Sequence, residues 1–244
     1  MLRDVDAVAI ALAPDIQAQL AVRAAQHGCH LLLEKPVALD LAAADQVAAA
    51  AAKAGVRAAV FHTYRYDTPV MDWLGALPAD GWTGAQVRWL SSIYEPGSPY
   101  AQSVWRQDKG ALWDLGPHVL SVLIPLFGAA ESVVAMTGVG DQTDLIVRHA
   151  SGATSAISVS LTAPPGTRGT DWRLFGTDGT FVLPDSDDDD APEAYANMVS
   201  ALLEPTPDAA ARADLALGRD IVAVLAAAQA FLDGASGGAA TVPG

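Results

Sequence analysis

Between Ala7 and His62 the sequence alternates short apolar runs with longer helical stretches, and this alternation limits the fold more than any other feature. Ala7 to Leu12 (Ala-Val-Ala-Ile-Ala-Leu) is a continuous apolar run of strand length, as expected for a strand covered on both faces. Pro14 and Asp15 open a helical stretch that closes near His27 and Gly28, since proline suits a first turn and glycine stops a helix. Leu31-Leu32-Leu33 reads as a second buried strand, ended by Glu34-Lys35-Pro36. Asp40 is placed to cap an Ala-rich helix that runs to Lys53 and stops at Gly55, and Arg57 to His62 completes a third strand. Strand, helix, strand, helix, strand with short connections predicts a parallel sheet with right-handed crossovers.

After Tyr64 the pattern changes. Asp67 to Leu77 reads as a helix, Gly84 to Tyr94 as a long strand, and Gly110 to Phe127 as a strongly apolar helix interrupted by Pro117 and Pro125. Val133 to Val139, Leu145 to His149, Thr154 to Leu161, Trp172 to Phe175 and Thr180 to Leu183 are strand-like runs between Gly-, Pro- and Asp-containing turns. Asp185 to Asp190 reads as a solvated acidic loop, and Ala209 to Leu232 as a last long helix. The predicted class is therefore α/β followed by α+β. A parallel-sheet domain spans residues 1–64, and a domain with a mainly antiparallel sheet and helices on one face spans 65–233. A Gly-rich flexible tail is expected over 234–244.

With 244 residues, 51% of them hydrophobic, the chain can bury roughly 70–75% of the surface its unfolded form exposes. Fourteen Lys and Arg against 28 Asp and Glu give a formal charge of −14, which repels phosphate backbones and anionic lipid, so neither nucleic acid nor membrane is expected as a partner. No apolar run reaches the ~20 residues of a bilayer span. The acidic start, Met1-Leu2-Arg3-Asp4-Val5-Asp6, is unlike an export signal. A single cysteine, Cys29, rules out an internal disulfide framework and is compatible with a cytoplasmic location.

Two motifs carry chemistry. Glu34-Lys35-Pro36 falls at the carboxyl end of a parallel strand, the edge of an open sheet where ligands bind, and a lysine there can donate to a hydroxyl and stabilise a developing alkoxide. Taken alone, a solvated turn explains those three residues as well. In Gly110-Ala111-Leu112-Trp113-Asp114-Leu115-Gly116-Pro117-His118, Asp114 and His118 are four apart, so on a helix they share a face. A carboxylate beside an imidazole orients the ring for proton transfer near neutral pH; the alternative is a helix cap with a core histidine. No metal site is expected, because His27, His30, His62 and His149 show no ligand spacing.

Together these segments resemble one family. Asp6-Ala7-Val8-Ala9-Ile10, Pro14, Ala21, Gly28, His30 and Glu34-Lys35-Pro36 resemble the second half of the nucleotide-binding domain of the Gfo/Idh/MocA oxidoreductases. Arg65 with Pro69, then Trp105 and Gly110 to His118, are similar to that family's substrate-domain signature. The resemblance implies a dehydrogenase or reductase that uses NAD or NADP on a small-molecule substrate: a sugar, a polyol or a related hydroxy or carbonyl compound. It implies Lys35, Asp114 and His118 as catalytic residues, with Pro14, Glu34, Lys35 and Pro36 toward the cofactor. Arg65, Trp105 and His118 would face the substrate, although a surface ion pair and core packing also explain Arg65 and Trp105. It further implies a homo-oligomer formed through the antiparallel sheet.

One departure weighs against that activity. The family opens with a Gly-rich strand-to-helix turn that holds the pyrophosphate, and no Gly-x-Gly-x-x-Gly occurs in the first sixty residues. Relative to the family, the sequence starts at the fourth strand of a Rossmann-type sheet, a truncated version. Strand Ala7 to Leu12 is then expected as an unpaired edge, with exposed apolar surface beside it. A start recorded too far downstream, a true truncation that leaves the protein inactive, or a covering partner would each explain this. The alternative function is a non-catalytic binding or oligomerisation module, and a weaker one a cofactor-free hydrolase or lyase using Asp114 and His118.

Overall fold

The computed structural model describes residues 2–184, 191–203, 215–234 and 238–244. They form two compact units, 1–75 with 184–222, and 76–183 with 223–244. The predicted acidic loop 185–190 and residues 209–214 of the predicted last helix lie outside the described residues.

In the first unit, β1 (Ala7–Ile10), β2 (His30–Leu33) and β3 (Ala58–Val60) pair in parallel in that order, with Ala7 opposite His30 and Leu31 opposite Ala58. Helices α1 (Pro14–Gln26) and α2 (Leu41–Ala54) are the crossovers. Proline does open α1, Asp40 caps α2 by accepting from Ala43 N at 2.8 Å, and Gly55 ends it in the left-handed region at φ 67°. β1 is shorter than expected and is not covered on both faces. Ala9 is exposed and Leu12 is 50% exposed, and no described strand lies on the far side of β1. A short 3-10 turn, Thr63–Arg65, and α3 (Thr68–Gly75) follow.

Sequence analysis places no helix between 184 and 208, but α6 (Ala191–Leu203) lies there and packs on β3 through Ala194, Met198, Ala201 and Leu202. Residues at that 4, 3, 1 spacing form one apolar stripe, which buries against Ala59 and Tyr66. The chain thus returns to the first unit instead of staying in the second from 65 to 233.

In the second unit seven strands run in the order β10-β5-β6-β7-β4-β8-β9. These are β4 (Trp82–Leu90), β5 (Ala130–Thr137), β6 (Thr143–His149), β7 (Thr154–Ser160), β8 (Gly169–Gly176), β9 (Gly179–Val182) and β10 (Ala240–Thr241). The sheet is antiparallel except that β4 pairs with β7 in parallel, Gly84 opposite Thr154. Between those two strands the chain forms α4 (Val104–Asp114) and α5 (Gly116–Phe127), which pack on β4 and β7. The tail does not simply fray: β10 pairs with β5, and Val242 N donates to Glu131 O at 3.0 Å.

Helix α7 (Leu215–Leu232) contributes to both units. Two runs, Val104–Phe127 and Leu215–Leu232, are long and apolar enough to cross a bilayer, which corrects the expectation from apolar run length. Their apolar windows are 78% and 50% buried inside the protein, as in core helices.

Candidate functional site

The first unit holds Pro14, Glu34, Lys35, Pro36 and Arg65. Gln17, fully buried in the first turns of α1, pins the turn after β2: its Nε2 donates to Glu34 O at 2.7 Å and Pro36 O at 3.1 Å, and its Oε1 accepts from Glu34 N at 2.8 Å. Lys35 N donates to Glu34 Oε2 at 3.3 Å, and the Lys35–Pro36 peptide is cis. Pro14 is buried one residue into the same helix, so four of the five residues share one anchored corner at the carboxyl ends of β1 and β2. Sequence reasoning missed Gln17. Its only signal is a polar residue on the apolar stripe of α1, beside buried Ala18, Ala21, Ala24 and Ala25.

Beyond β3, His62 and Arg65 are both buried, which removes the surface ion pair as an explanation of Arg65. His62 Nε2 has no hydrogen-bond partner among the described residues. Burial, reinforced by the nearby charges of Arg65 and Lys35, lowers the His62 pKa from 6.5 to about 3, so the ring is neutral at physiological pH. A neutral imidazole flanked by two cations makes this edge of the sheet electropositive and rich in hydrogen-bonding groups, suited to an oxygen-bearing ligand.

The second unit holds Trp105, Asp114 and His118. Helix α4 breaks at Gly110, where φ is 65° and ψ −164°, and Ala111 N beyond the break donates to Asp141 Oδ2 at 3.1 Å. Asp114 ends α4 and His118 lies in the first turn of α5; Leu115 between them keeps helical dihedrals of −92° and −33°, so the four-residue spacing still sets both on one side. Asp114 is buried and its Oδ2 accepts from Arg106 Nε at 3.0 Å. The His118 ring lies 5.4 Å from Trp89. Trp105 is half-buried, with the Arg106 guanidinium 4.5 Å from its ring, so core packing does not describe it. Tyr94, unremarked in the sequence, stands in the field of Asp141 and Asp114: burial first, then these two carboxylates, push its phenol above the usual range, with Arg106 opposing.

The other histidines are engaged in the framework. His149 contacts Gly128 O at 3.1 Å and Ser155 Oγ at 2.9 Å, and His30 Nδ1 accepts from Arg57 N at 3.0 Å. Among the described residues no three His, Cys, Asp or Glu side chains come together as a metal site would need.

This arrangement agrees with two family models in chain order. Residues 1–62 match one described as "Oxidoreductase family, NAD-binding Rossmann fold", and residues 76–182 one described as "GFO/IDH/MocA C-terminal domain". The chain belongs to the Gfo/Idh/MocA oxidoreductases. Among its relatives, the oxidoreductase YdgJ of Escherichia coli K12 is 31% identical over 134 residues, covering 53% of this chain and 38% of that protein. The D-apiose dehydrogenase of Paraburkholderia graminis is 30% identical over 168 residues, covering 64% of this chain and 44% of that protein. The matches thus span less than half the length of either curated relative. An NAD-binding oxidoreductase of Klebsiella pneumoniae shares the fold with a TM-score of 0.82 at 20% identity, over 100% of this chain and 82% of that one.

A Gfo/Idh/MocA cofactor would find part of its seat in these residues. Lys35 and the partnerless His62 Nε2, at the carboxyl ends of β2 and β3, fit the hydroxyl and amide groups of a nicotinamide riboside. A diphosphate needs close backbone approach, and none of the turns that follow β1, β2 and β3 contains a glycine. The residues present therefore fit one end of the cofactor and not its phosphates.

Proposed function

We propose that the chain is part of a cytoplasmic NAD(P)-dependent oxidoreductase that acts on a sugar, polyol or related small hydroxy or carbonyl compound. The observation that carries this reading is the anchored Glu34-Lys35-Pro36 corner, followed in family order by the bent helix that ends on Asp114 and the next helix, which opens with His118 in its first turn. The D-apiose dehydrogenase relative supports a sugar-like substrate, and the NAD-binding Klebsiella oxidoreductase supports the cofactor class. The nicotinamide, when bound, would accept or return a hydride. Lys35 then donates to the reacting oxygen, His118 takes the hydroxyl proton in the oxidation direction, and Asp114 orients the imidazole. Arg65 and Trp105 contact the substrate, while Pro14, Glu34 and Pro36 shape the ribose end of the cofactor seat.

A panel of sugars and polyols assayed with both nicotinamide cofactors tests the reading. Turnover is expected of a protein that contains these residues together with a Gly-rich phosphate-binding turn, with Lys35→Met and His118→Asn lowering kcat by about 100- to 10,000-fold. Full turnover by His118→Asn would overturn the assignment. Because none of the turns that follow β1, β2 and β3 contains a glycine to cradle phosphate, the 244 residues alone are expected to bind NADH without saturation at millimolar concentration in a fluorescence titration.

A second reading, a binding or oligomerisation module, is favoured by the outer face of the seven-stranded sheet. Gln86, Arg88, Ile146 and Arg173 are exposed there, and Ile146 is an apolar residue in the middle of that face. We assign that face to self-association, compatible with either reading.

A further inference from the structure

We propose that Arg106 is a positioning residue for the Asp114–His118 pair, holding the Asp114 carboxylate in one rotation so that it can orient the imidazole. The proposal rests on the reading of His118 as the proton-transfer group.

Arg106 and Asp114 are eight residues apart. In a straight helix that separation means about 12 Å of rise and about 80° of rotation, a poor arrangement for an ion pair. They nevertheless meet at 3.0 Å, Arg106 Nε donating to Asp114 Oδ2. The break at Gly110, between the two residues, makes this possible, because its φ of 65° turns the helix in a conformation that L side chains avoid. The bend is clamped from the sheet. Asp141, in the turn between β5 and β6, accepts from Ala111 N at 3.1 Å and is itself held by Leu161 N at 2.9 Å, Thr162 N at 3.0 Å, and the Ser160 and Thr162 hydroxyls at 2.8 Å each.

The guanidinium is also fixed on its other sides. It lies 4.7 Å from the Tyr100 ring centroid and 4.5 Å from that of Trp105, and Nη1 donates to Ser103 Oγ at 3.2 Å. The nearby Lys109–Asp108 pair offers a contrast at 3.4 Å, with side chains 33% and 69% exposed, against 19% and 9% for Arg106 and Asp114. Exposed pairs of the Lys109 kind hold little in place, whereas a stacked, partly buried guanidinium restricts its acceptor. Tyr94 and Asp141 are the other titratable groups in the same field.

The test uses the full chain labelled with nitrogen-15. Ring-nitrogen NMR reports the His118 tautomer without any cofactor or substrate. The wild type is expected to hold one tautomer, Arg106→Gln to populate both, and Arg106→Lys, which keeps charge without the fork or the stacking, to fall between. If Arg106→Gln fails to fold, Arg106→Lys alone decides, since an unchanged His118 spectrum in that variant overturns the proposal. In the active protein Arg106→Gln is expected to lower kcat about 10- to 100-fold with KM within about twofold, as for a misplaced catalytic group. A change in KM alone, or a wild-type ring already in two tautomers, also overturns it. Absence of turnover in a protein that contains these residues together with a Gly-rich phosphate-binding turn would sink the oxidoreductase reading instead, and the NMR comparison would still decide the role of Arg106.

Discussion

At His62, burial and polarity pull in opposite directions. A histidine whose buried Nε2 has no partner among the described residues costs stability, on the order of 1–3 kcal/mol for such a group, and burial, reinforced by the neighbouring cations, forbids relief by protonation. The consequence for acid stability has a definite sign. The unfolded chain takes up a proton near pH 6.5, while the folded ring stays neutral down to about 3, so stability is full above 6.5 and falls as pH drops through that window. The loss is on the order of a few kcal/mol by pH 3. His62→Gln is expected to flatten urea-unfolding midpoints between pH 6.5 and 4 relative to wild type, and equal slopes would contradict the assignment. Gln17 makes the complementary case. Its three bonds to the Glu34–Pro36 turn are each worth about 1 kcal/mol, so Gln17→Leu is expected to cost about 2–3 kcal/mol in the same assay. Neither residue was legible as important in the sequence. Lys35, Asp114 and His118 announce themselves by local motif, whereas Gln17, His62 and Arg106 gain their meaning from partners outside any motif.

At the level of elements, the parts with strong local chemistry were legible and the others were not. Asp40 and Gly55 bracket α2 as their capping and left-handed preferences require, and the proline start of α1 behaves likewise. Helix α6 was missed although Ala194, Met198, Ala201 and Leu202 repeat with helical spacing, because small residues and flanking prolines masked the stripe. The parallel pairing of β4 with β7 was also beyond reach, since pairing partners so distant in sequence leave no local trace. The bend in α4 is the most testable of these features. An added Cβ at Gly110 would meet Asp141 Cβ at 3.6 Å, an ordinary contact, so Gly110→Ala is strained by its φ alone. Its cost is expected at about 1–3 kcal/mol in equilibrium unfolding. A loss far beyond that would mean that straightening the helix also breaks the Arg106 pair.

For the molecule as a whole, fold and family were legible because the two motifs fall in order along a chain that alternates, then turns antiparallel. Self-association through the antiparallel sheet was implied by the resemblance alone, since quaternary structure depends on a face rather than a motif. Ile146 sits in the middle of the open sheet face, between Asp144 and Arg148 on its strand. Self-association through that face predicts that light scattering finds a dimer or larger species, and that Ile146→Glu shifts it toward monomer while leaving the melting temperature nearly unchanged. A monomeric wild type would end that assignment.

The border strand of the three-stranded sheet leaves a different kind of signature. Its carbonyls at Asp6 and Ile10 turn inward to accept from His30 and Glu34, so by alternation the amides of Ala7 and Ala9 look the other way. In deuterated water those two protons should vanish well before the amides of Leu31 and Leu33, giving one fringe of quickly traded hydrogens along an otherwise slow ribbon. If that fringe were slow, something would have to be lying against it.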